Sequence, residues 1–556
     1  MTKTGRYAII EQFLEDGIKY MFGNPGTVEQ GFLDVLDDYP EMEYISTLQE
    51  SIAVMLADGY ARATKETALV QIHSTPGLGN SIGALYQAYR GHSPLVVIGG
   101  DAGLKYMPME AQMYGELVDF AEPVTKWSTM VKDHRSLLRV LRRAIKIAST
   151  PPTGPVYVCL PADVLDKPAV EEIRPTSIPS TRSYPEPDLI EQAAQMLVNS
   201  EKPMFFIGNG VAYSKAQDEV AEIAELLGAE VWGVDSGELN LPHNHPLYMG
   251  QTGHMFGEDS LPITQKGDVN LICGTYMMPE VFPELGNIFS EEAQNIHIDL
   301  NDYSIAKNHP VDLGIVSDPK LSLQKLIDEL KNIITRDIKE AAADRIEEIK
   351  QKNDSNREEA LKKDQKLIKN NPITAAGFMK ELEQQTPDDV MIFDEALTSS
   401  PEVTRYLTPK YKDHYFQSRG GSLGVGIPGA LGIKLSNPDK TVIGFTGDGG
   451  SMYTIQALWT AARYNIDANF VICNNGSYKL LEMNLKEYRK ELDIKKEDCP
   501  SCFDLTEPRI AFTNLAESMQ VKATQVTRHE EISETITQML ETDGPFLIDL
   551  ILPQKS

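Results

Sequence analysis

A strand–loop–helix–strand pattern near the C-terminus constrains the fold most: TVIGFTGDGGSMYTIQALWTAARYNIDANFVICNNGSY. It predicts an apolar strand over Thr441–Thr446, a helix over Met452–Tyr464 and a second apolar strand over Ala468–Cys473. Two buried strands joined by a helix are typical of neighbouring parallel strands. The polar residues that follow each strand are therefore expected at one edge of the sheet, where ligands bind in open α/β folds.

Helices and strands alternate along the rest of the chain, which predicts an α/β protein of three doubly wound domains with mostly parallel sheets. We expect the domains at residues 1–175, 189–335 and 365–556, with a Pro- and Ser-rich linker over 171–188 and a long solvated helix over 336–371. The other predicted strands, in chain order, are Lys19–Phe22, Glu43–Leu48, Ala68–Ile72, Leu95–Ile98, Val156–Leu160, Pro203–Gly208, Val231–Val234, Asn270–Cys273, Asn295–Ile298, Val390–Phe393 and Pro545–Ile551.

The polar residues after the two C-terminal strands are predicted ligands of a metal ion and an anionic cofactor. Asp448 offers a carboxylate oxygen, Asn475 a side-chain carbonyl oxygen and Ser477 a backbone carbonyl oxygen, which are the hard donors that Mg²⁺ prefers. Glycines let backbone N–H groups approach an anion, and a helix N-terminus adds positive potential. The glycines that we expect to contact the anion are Gly447, Gly449 and Gly450. The alternative is a turn beside an unrelated Asn-rich loop.

The formal net charge of −29, from 52 basic and 81 acidic side chains, argues against binding to nucleic acid or to an anionic membrane. An acidic protein that binds an anionic cofactor needs a cation beside it, which agrees with the predicted metal. The N-terminal stretch MTKTGRYAIIEQFLEDG predicts an amphipathic helix without an apolar signal core, and no run of about 18 apolar residues occurs. We therefore expect a cytoplasmic protein with no membrane span.

The chain has five cysteines, an odd and sparse set that is typical of a reducing compartment. Cys499 and Cys502 form a C-x-x-C pair, but a zinc site needs two more ligands and none lies nearby in the sequence. We interpret the pair as ordinary loop thiols, with a structural or redox role as the alternative.

The Gly-Asp-Gly and Asn-Asn elements together resemble the signature of thiamine-diphosphate enzymes. Here 24 residues, 450–473, separate Gly449 from Asn474, which is within the range of that signature. The resemblance implies thiamine diphosphate and Mg²⁺ as cofactors. It also implies a carboxylic acid that hydrogen-bonds the pyrimidine ring of the cofactor and a large apolar residue that bends the cofactor.

Glu50 and Leu423 are the candidates for these two roles. Glu50 lies between the predicted strand Glu43–Leu48 and an apolar helix, where its neighbours would partly desolvate a proton-shuttling carboxyl group. The alternative is a solvated acid that stabilises a helix N-terminus. Leu423 lies in RGGSLGVGIPGALG, 25 residues before Asp448, where glycines such as Gly421 let the backbone pass close to a flat ring. Its alternative is ordinary packing at the start of a helix.

The whole chain from about residue 5 onwards resembles the thiamine-diphosphate-dependent 2-oxo acid decarboxylases and carboligases, in particular the benzoylformate decarboxylases. The segments that carry this resemblance are FGNPGT at 22–27, TLQES at 47–51, HSTPGLGN at 73–80, GHSPL at 91–95, GPVYVCLP at 154–161 and QALWTAARYNI at 456–466.

The resemblance implies roles for single residues. Glu50 matches the activating glutamate, Thr27 matches a substrate-binding serine, and His73 matches an active-site histidine that relays protons. A hydrogen-bonded structural histidine is the alternative for His73. The positions that match cofactor contacts are Leu397, Thr398, Gly450 and Ser451.

The chain departs from that pattern at two places. Leu397 stands where a hydroxyl residue is usual, which weakens one side-chain contact. The family's second catalytic histidine comes from the middle domain, but the matching segment GTYMMPEVFPELG has none and places Val281 or a neighbour there; His254 is the nearest candidate from another loop. Loss of that relay favours ligation to a second carbonyl compound over aldehyde release.

The residues Tyr276, Met277, Met278, Phe282, Leu480, Leu481 and Tyr488 are pocket candidates that are equally compatible with a core.

The resemblance therefore implies an enzyme that decarboxylates a small 2-oxo acid, as a homodimer or homotetramer with active sites between subunits. An acetolactate synthase-like carboligase and a 2-hydroxyacyl-CoA lyase remain alternatives within the superfamily. A non-catalytic cofactor-binding protein is a further alternative. The Gly-Asn-Gly at 208–210 is too short to predict a dinucleotide-binding enzyme, and the sequence leaves FAD open.

Overall fold

The computed structural model describes residues 3–554, which form two compact units. One unit comprises residues up to 180 together with 372–406 and the residues from 418 onwards; the other comprises 181–371 and 407–417. Three six-stranded sheets run through the chain in sequence order, and the pairings within them are parallel. The predicted α/β class with three domains is confirmed.

The first sheet has the strand order β2-β1-β3-β4-β6-β5. Its inner strands are apolar and buried on both faces because helices cover the sheet on either side, as expected for parallel strands. The strands are β1 Tyr20–Gly23, β2 Glu43–Ser46, β3 Ala68–Ile72, β4 Leu95–Asp101, β5 Trp127–Met130 and β6 Val156–Pro161. The helices are α1 Gly5–Glu15, α2 Gln30–Leu33, α3 Glu50–Thr64, α4 Ser74–Arg90, α5 Leu117–Ala121, α6 Leu137–Ser149 and α7 Ala162–Leu165.

The second sheet forms the centre of the other unit, with the strand order β12-β11-β10-β7-β8-β9. The strands are β7 Pro203–Ile207, β8 Glu230–Gly233, β9 Tyr248–Gln251, β10 Val269–Cys273, β11 Gln294–Asp299 and β12 Leu313–Val316. The helices are α8 Pro187–Val198, α9 Asn209–Ser214, α10 Gln217–Leu227, α11 Leu261–Thr264, α12 Pro319–Ile333 and α13 Arg336–Asn370. The predicted long helix is α13, and among its 35 residues only Ala342, Ile349 and Asp364 are buried.

The third sheet has the strand order β14-β13-β15-β16-β18-β17. The strands are β13 Met391–Glu395, β14 Tyr415–Gln417, β15 Val442–Gly447, β16 Asn469–Asn474, β17 Lys522–Val526 and β18 Phe546–Ile551. The helices are α14 Ala375–Gln385, α15 Ser400–Tyr406, α16 Gly426–Ser436, α17 Asp448–Ser451, α18 Ala457–Arg463, α19 Lys479–Glu491, α20 Phe512–Ser518 and α21 Ile532–Glu541.

The predicted helix over Met452–Tyr464 is wrong in its bounds. A first helical turn, α17, starts directly at Asp448, and α18 follows only at Ala457. Between them the backbone makes tighter i→i+3 hydrogen bonds, such as Thr454 N–H to the Ser451 carbonyl, and the Thr454 hydroxyl donates to the carbonyl of Gly424. The helix is interrupted because this segment is also tied to a neighbouring loop.

No helix within residues 3–554 combines the length and apolar character that a bilayer-spanning segment requires. All five cysteines are free thiols, with Cys499 half-buried and Cys502 exposed. Within the described chain, no group of three or more His, Cys, Asp and Glu side chains is arranged to hold a metal ion.

Candidate active site

Glu50 lies at the N-terminus of α3 and is buried, with 5% of its surface exposed. One carboxylate oxygen accepts a hydrogen bond from the side-chain amide of Asn24 at 3.1 Å, and the other accepts from the side-chain amide of Asn80 at 3.0 Å. Asn24 follows β1, whereas Asn80 lies on α4. Gly77 keeps α4 close, because a Cβ there would lie 3.0 Å from the Glu50 carboxylate. The carboxyl group is therefore fixed from two sides.

His73 lies at the end of β3, at the same edge of the first sheet as Asn24. Its Nδ1 is 2.8 Å from a carboxylate oxygen of Glu29, whose side chain is fully buried. Burial raises the pKa of Glu29, and the hydrogen bonds from His73 and from the Gly100 N–H oppose that shift. Thr27 is exposed in the turn between β1 and α2. The first domain thus gathers polar groups at the ends of neighbouring strands.

Asp448 follows β15 in the third domain and is hydrogen-bonded to the loop after β16. Its carboxylate accepts hydrogen bonds from the N–H of Gly449 at 2.9 Å and from the N–H of Gly476 at 2.6 Å. The side-chain carbonyl of Asn475 accepts from the N–H of Ser477 at 2.9 Å. Burial raises the pKa of Asp448, and the N–H groups of Gly449 and Gly476 oppose that shift. The predicted metal ligand Asp448, at the start of α17, is therefore hydrogen-bonded to the loop after β16 that carries Asn475 and Ser477.

These residues fit a magnesium-bound diphosphate. Their ligand atoms are one carboxylate oxygen, one side-chain amide oxygen and one backbone carbonyl oxygen, which suit Mg²⁺ rather than a softer metal. A Cβ on Gly447 would meet no atom within 4 Å, so the strand end is open for a ligand there. Gly449 has no such freedom, because its Cβ would lie 2.5 Å from the ring of Tyr478. Gly450 and Ser451 complete the turn, and the Ser451 hydroxyl donates to the Asp448 carbonyl at 2.9 Å.

Leu423 lies on a loop whose shape depends on glycine. Gly421 and Gly424 have φ angles of 74° and 91°, which residues with a side chain rarely adopt. The buried carboxylate of Glu395 accepts hydrogen bonds from the N–H of Gly424 and, at 2.8 Å, from that of Gly426. Burial raises the pKa of Glu395 to about 7, and the N–H groups of Gly426 and Gly424 oppose that shift. The loop is therefore fixed by an internal acid rather than by packing alone.

Leu397 and Thr398 follow Glu395 in a single 3₁₀ turn at the end of β13. Leu397 has a φ of 48°, which is unusual for a residue with a branched side chain, and 37% of its surface is exposed. Its side chain therefore lies outside the core, and the strained turn lies at the same sheet edge as Asp448.

The predicted site residues thus form two groups within one unit of the chain. Thr27, Glu50 and His73 lie at the edge of the first sheet, and the residues around Asp448 and Leu423 lie at the edge of the third. Helix α4 contacts both groups: its Asn80 binds Glu50, and its Gly83 carbonyl accepts a hydrogen bond from Ser422 at 2.6 Å.

Sequence reasoning missed four residues that hold these groups in place: Asn24, Glu29, Asn80 and Glu395. Asn24 and Asn80 stand inside the segments FGNPGT and HSTPGLGN, so their motifs are visible in the sequence although their contacts are not. Glu29 and Glu395 bind partners 44 and 29 residues away, which no local pattern reveals.

In the other unit, the loop that carries His254 lies beside the segment without a histidine. The N–H of Val281 donates to the His254 carbonyl at 3.4 Å, and the ring of Phe282 stacks on that of Phe256 with centroids 5.3 Å apart. Two of the pocket candidates, Met277 and Met278, belong to the core of this unit, whereas Phe282 is exposed.

Three sequence families match successive parts of the chain. They are the N-terminal TPP binding domain of thiamine pyrophosphate enzymes at residues 3–122, the central domain at 190–326 and the C-terminal TPP binding domain at 398–550. A benzoylformate decarboxylase of Pseudomonas aeruginosa is 28% identical over 554 residues, which cover 99% of this chain and 98% of that protein. A probable acetolactate synthase large subunit of Methanocaldococcus jannaschii is 28% identical over 565 residues, which cover 99% of this chain and 92% of that protein.

The fold is similar to that of a solved thiamine-diphosphate-dependent 4-hydroxybenzoylformate decarboxylase of Rhodococcus jostii. The two have a TM-score of 0.85 and are 25% identical, and the match covers 99% of each chain. The family matches, the relatives and the shared fold all indicate a thiamine-diphosphate enzyme, as do the residues at the strand ends. The chain is an enzyme that belongs to the superfamily of thiamine-diphosphate-dependent 2-oxo acid decarboxylases and carboligases.

Proposed function

We propose that this enzyme, with thiamine diphosphate and Mg²⁺ bound, converts a small 2-oxo acid of the benzoylformate or branched-chain type into an aldehyde and carbon dioxide. The observation that carries the proposal is the buried Glu50 carboxylate, which two side-chain amides fix near the sheet edge that also carries His73. Thiamine diphosphate, when bound, supplies a nucleophilic carbon and an electron sink for the loss of carbon dioxide.

The chain's own residues would bind the reactants and move protons. Glu50 would move a proton at a carboxyl oxygen, and Asn24 and Asn80 keep that group oriented. The Thr27 hydroxyl and the His73 imidazole would position the substrate carboxylate and move protons. Asp448, Asn475 and Ser477 would hold Mg²⁺, Leu423 would bend the cofactor, and the remaining contacts would come from Gly421, Leu397, Thr398, Gly447, Gly449, Gly450 and Ser451.

The proposed working form is a homodimer or homotetramer in the cytoplasm, with active sites between subunits. The relatives that support a thiamine-diphosphate enzyme do not separate its possible products. A carboligase of the acetolactate synthase type is a second candidate, favoured by the absence of a histidine from residues 274–286. Without a second proton donor, a carbonyl compound competes with protonation for the reacting carbon.

A panel of 2-oxo acids tests the proposal. Pyruvate, 2-oxoisovalerate and benzoylformate are supplied with thiamine diphosphate and Mg²⁺, carbon dioxide and aldehyde are quantified, and mass spectrometry identifies any ligated product. Glu50→Gln is expected to lower carbon dioxide release by roughly 10²-fold or more, because a proton-transfer group is lost. The matched control is Glu43→Gln, because Glu43 is an exposed glutamate at the start of β2, whereas Glu50 follows the end of that strand. Wild-type turnover is expected for this variant.

Aldehyde as the main product supports the decarboxylase, whereas a 2-hydroxy ketone or 2-hydroxy-3-oxo acid as the main product supports the carboligase. Wild-type turnover in Glu50→Gln would contradict the role of that carboxyl group. Failure of calorimetry to detect thiamine diphosphate binding with Mg²⁺ would contradict both functions.

A further inference from the structure

We propose that Glu29 is a positioning residue that holds His73 in the tautomer with its proton on Nδ1, which leaves Nε2 as the nitrogen that accepts a proton. The tautomer itself is a property of the folded chain. Only its effect on turnover rests on the proposed function.

The contact between the two side chains is close and sheltered. A carboxylate oxygen of Glu29 lies 2.8 Å from Nδ1 of His73, which is hydrogen-bond distance. The Glu29 side chain is fully buried, whereas 17% of the His73 side chain is exposed. The carboxyl group therefore lies behind the imidazole, and only the histidine can be reached from outside.

Two glycines leave the space that this pair occupies. A Cβ on Gly26 would lie 1.9 Å from Nδ1 of His73, and a Cβ on Gly100 would lie 2.5 Å from Oε1 of Glu29. No side chain fits at either position without displacing the pair. The turn after β1 and the end of β4 are thus shaped around this hydrogen bond.

The second carboxylate oxygen of Glu29 fixes the direction of the first. Its Oε1 accepts a hydrogen bond from the N–H of Gly100 at 2.7 Å, so Oε2 is the oxygen that faces the imidazole. An ionised carboxylate only accepts hydrogen bonds, so Nδ1 must be the donor. The lone pair on Nε2 then remains available to accept a proton.

Burial raises the pKa of Glu29, and the hydrogen bonds from His73 and from the N–H groups of Gly100 and Ser74 favour its ionised form. Were Glu29 to carry the proton instead, it would donate to Nδ1 and the ring proton would lie on Nε2. The two arrangements have the same partners but opposite ring tautomers, so they are distinguishable by experiment.

The ¹⁵N chemical shifts of the imidazole nitrogens report the tautomer directly. The protein has ten histidines, and comparison of ¹⁵N-histidine-labelled wild type with His73→Asn assigns the signals of His73. We expect a protonated Nδ1 and an unprotonated Nε2 in the neutral ring. A proton on Nε2 in the wild type would overturn the proposal, whatever the enzyme's substrate.

Glu29→Gln keeps the shape of the side chain and changes its hydrogen bonding. The Gly100 N–H requires the amide oxygen, so the amide NH₂ faces Nδ1 and makes that nitrogen an acceptor. We expect the ring proton to move to Nε2 and turnover to fall by roughly 10²-fold, while the affinity for thiamine diphosphate by calorimetry is unchanged. An unchanged tautomer in this variant would also overturn the proposal.

Glu219→Gln is the matched control, because Glu219 is a buried glutamate of α10 in the other unit and binds Lys320 and Gln324. It is expected to retain both the wild-type tautomer of His73 and wild-type turnover. If Glu29→Gln inverts the tautomer and turnover of the 2-oxo acids is absent even in the wild type, the positioning role holds and the proposed function fails.

Discussion

Three buried glutamates, Glu29, Glu50 and Glu395, lie near strand ends of one unit, and each has a different set of partners. Glu50 is held by two side-chain amides, Glu29 by an imidazole and backbone N–H groups, and Glu395 by backbone N–H groups and the Thr446 hydroxyl. A buried carboxyl group is costly unless its oxygens are hydrogen-bonded. These partners therefore determine where each acid can lie and what it can do.

The raised pKa of Glu395 predicts that the stability of the folded chain depends on pH. Its folded-state pKa is raised by burial from 4.5 to about 7, so between these values the folded chain holds a proton that the unfolded chain releases. The contribution of this bound proton to the free energy of unfolding is fully present below pH 4.5 and is lost as the pH rises through 7. We expect Glu395→Gln to remove about 3 kcal/mol of this pH dependence from the free energy of unfolding of the cofactor-free protein.

Urea unfolding at intervals from about pH 4.5 to about pH 8 measures this effect. The relevant quantity is the difference in pH dependence between wild type and Glu395→Gln, because other buried acids contribute equally to both. Parallel curves would show that Glu395 stays ionised throughout this range.

At the scale of secondary structure, the sequence predicts the interior strands of each sheet but not most of the outermost strands. Within the described residues the three sheets have twelve interior strands, all of them predicted, whereas of the six edge strands only β2 is predicted. Edge strands such as β5 and β9 are half-buried along their length, so they lack the continuous apolar run of an interior strand. The same limit applies to the site: Asp448 stands in a local motif, but Glu29 depends on partners that only the folded sheet supplies.

The close approach of helices α3 and α16 at their glycines predicts that a larger residue there is destabilising. A Cβ on Gly432 would lie 2.1 Å from the Leu56 carbonyl oxygen, and one on Gly59 would lie 2.2 Å from the Gly429 carbonyl oxygen. Alanine normally stabilises a helix interior by roughly 0.5–1 kcal/mol relative to glycine, but here the backbones would have to separate. We expect Gly432→Ala to lower the free energy of unfolding by about 1–3 kcal/mol.

The control for this packing is Gly79→Ala on α4, where a Cβ would make only ordinary contact with Phe120 at 3.7 Å. This variant is expected to match or exceed the stability of the wild type in the same urea titration. Equal stability of Gly432→Ala and Gly79→Ala would contradict the close approach of the two helices.

At the scale of the whole molecule, the net charge of −29 opposes the approach of an anionic 2-oxo acid and an anionic cofactor. Screening limits that repulsion to about 8–10 Å at physiological ionic strength, so binding depends on local groups. Mg²⁺ at Asp448 is the proposed source of positive charge for the cofactor, and the groups beside His73 are the proposed recognition site for the substrate.

A mixture of two inactive variants tests whether two chains build each site. Glu50→Gln keeps the proposed metal ligands, and Asp448→Asn keeps the proposed activating acid. If each site combines Glu50 of one subunit with Asp448 of its partner, a mixed dimer contains one intact site and one site that lacks both groups. Co-expression in equal amounts makes half of the dimers mixed, so about a quarter of wild-type activity should return. A site built within one chain predicts no recovery, as does co-expression of two differently tagged Glu50→Gln chains, which serves as the control.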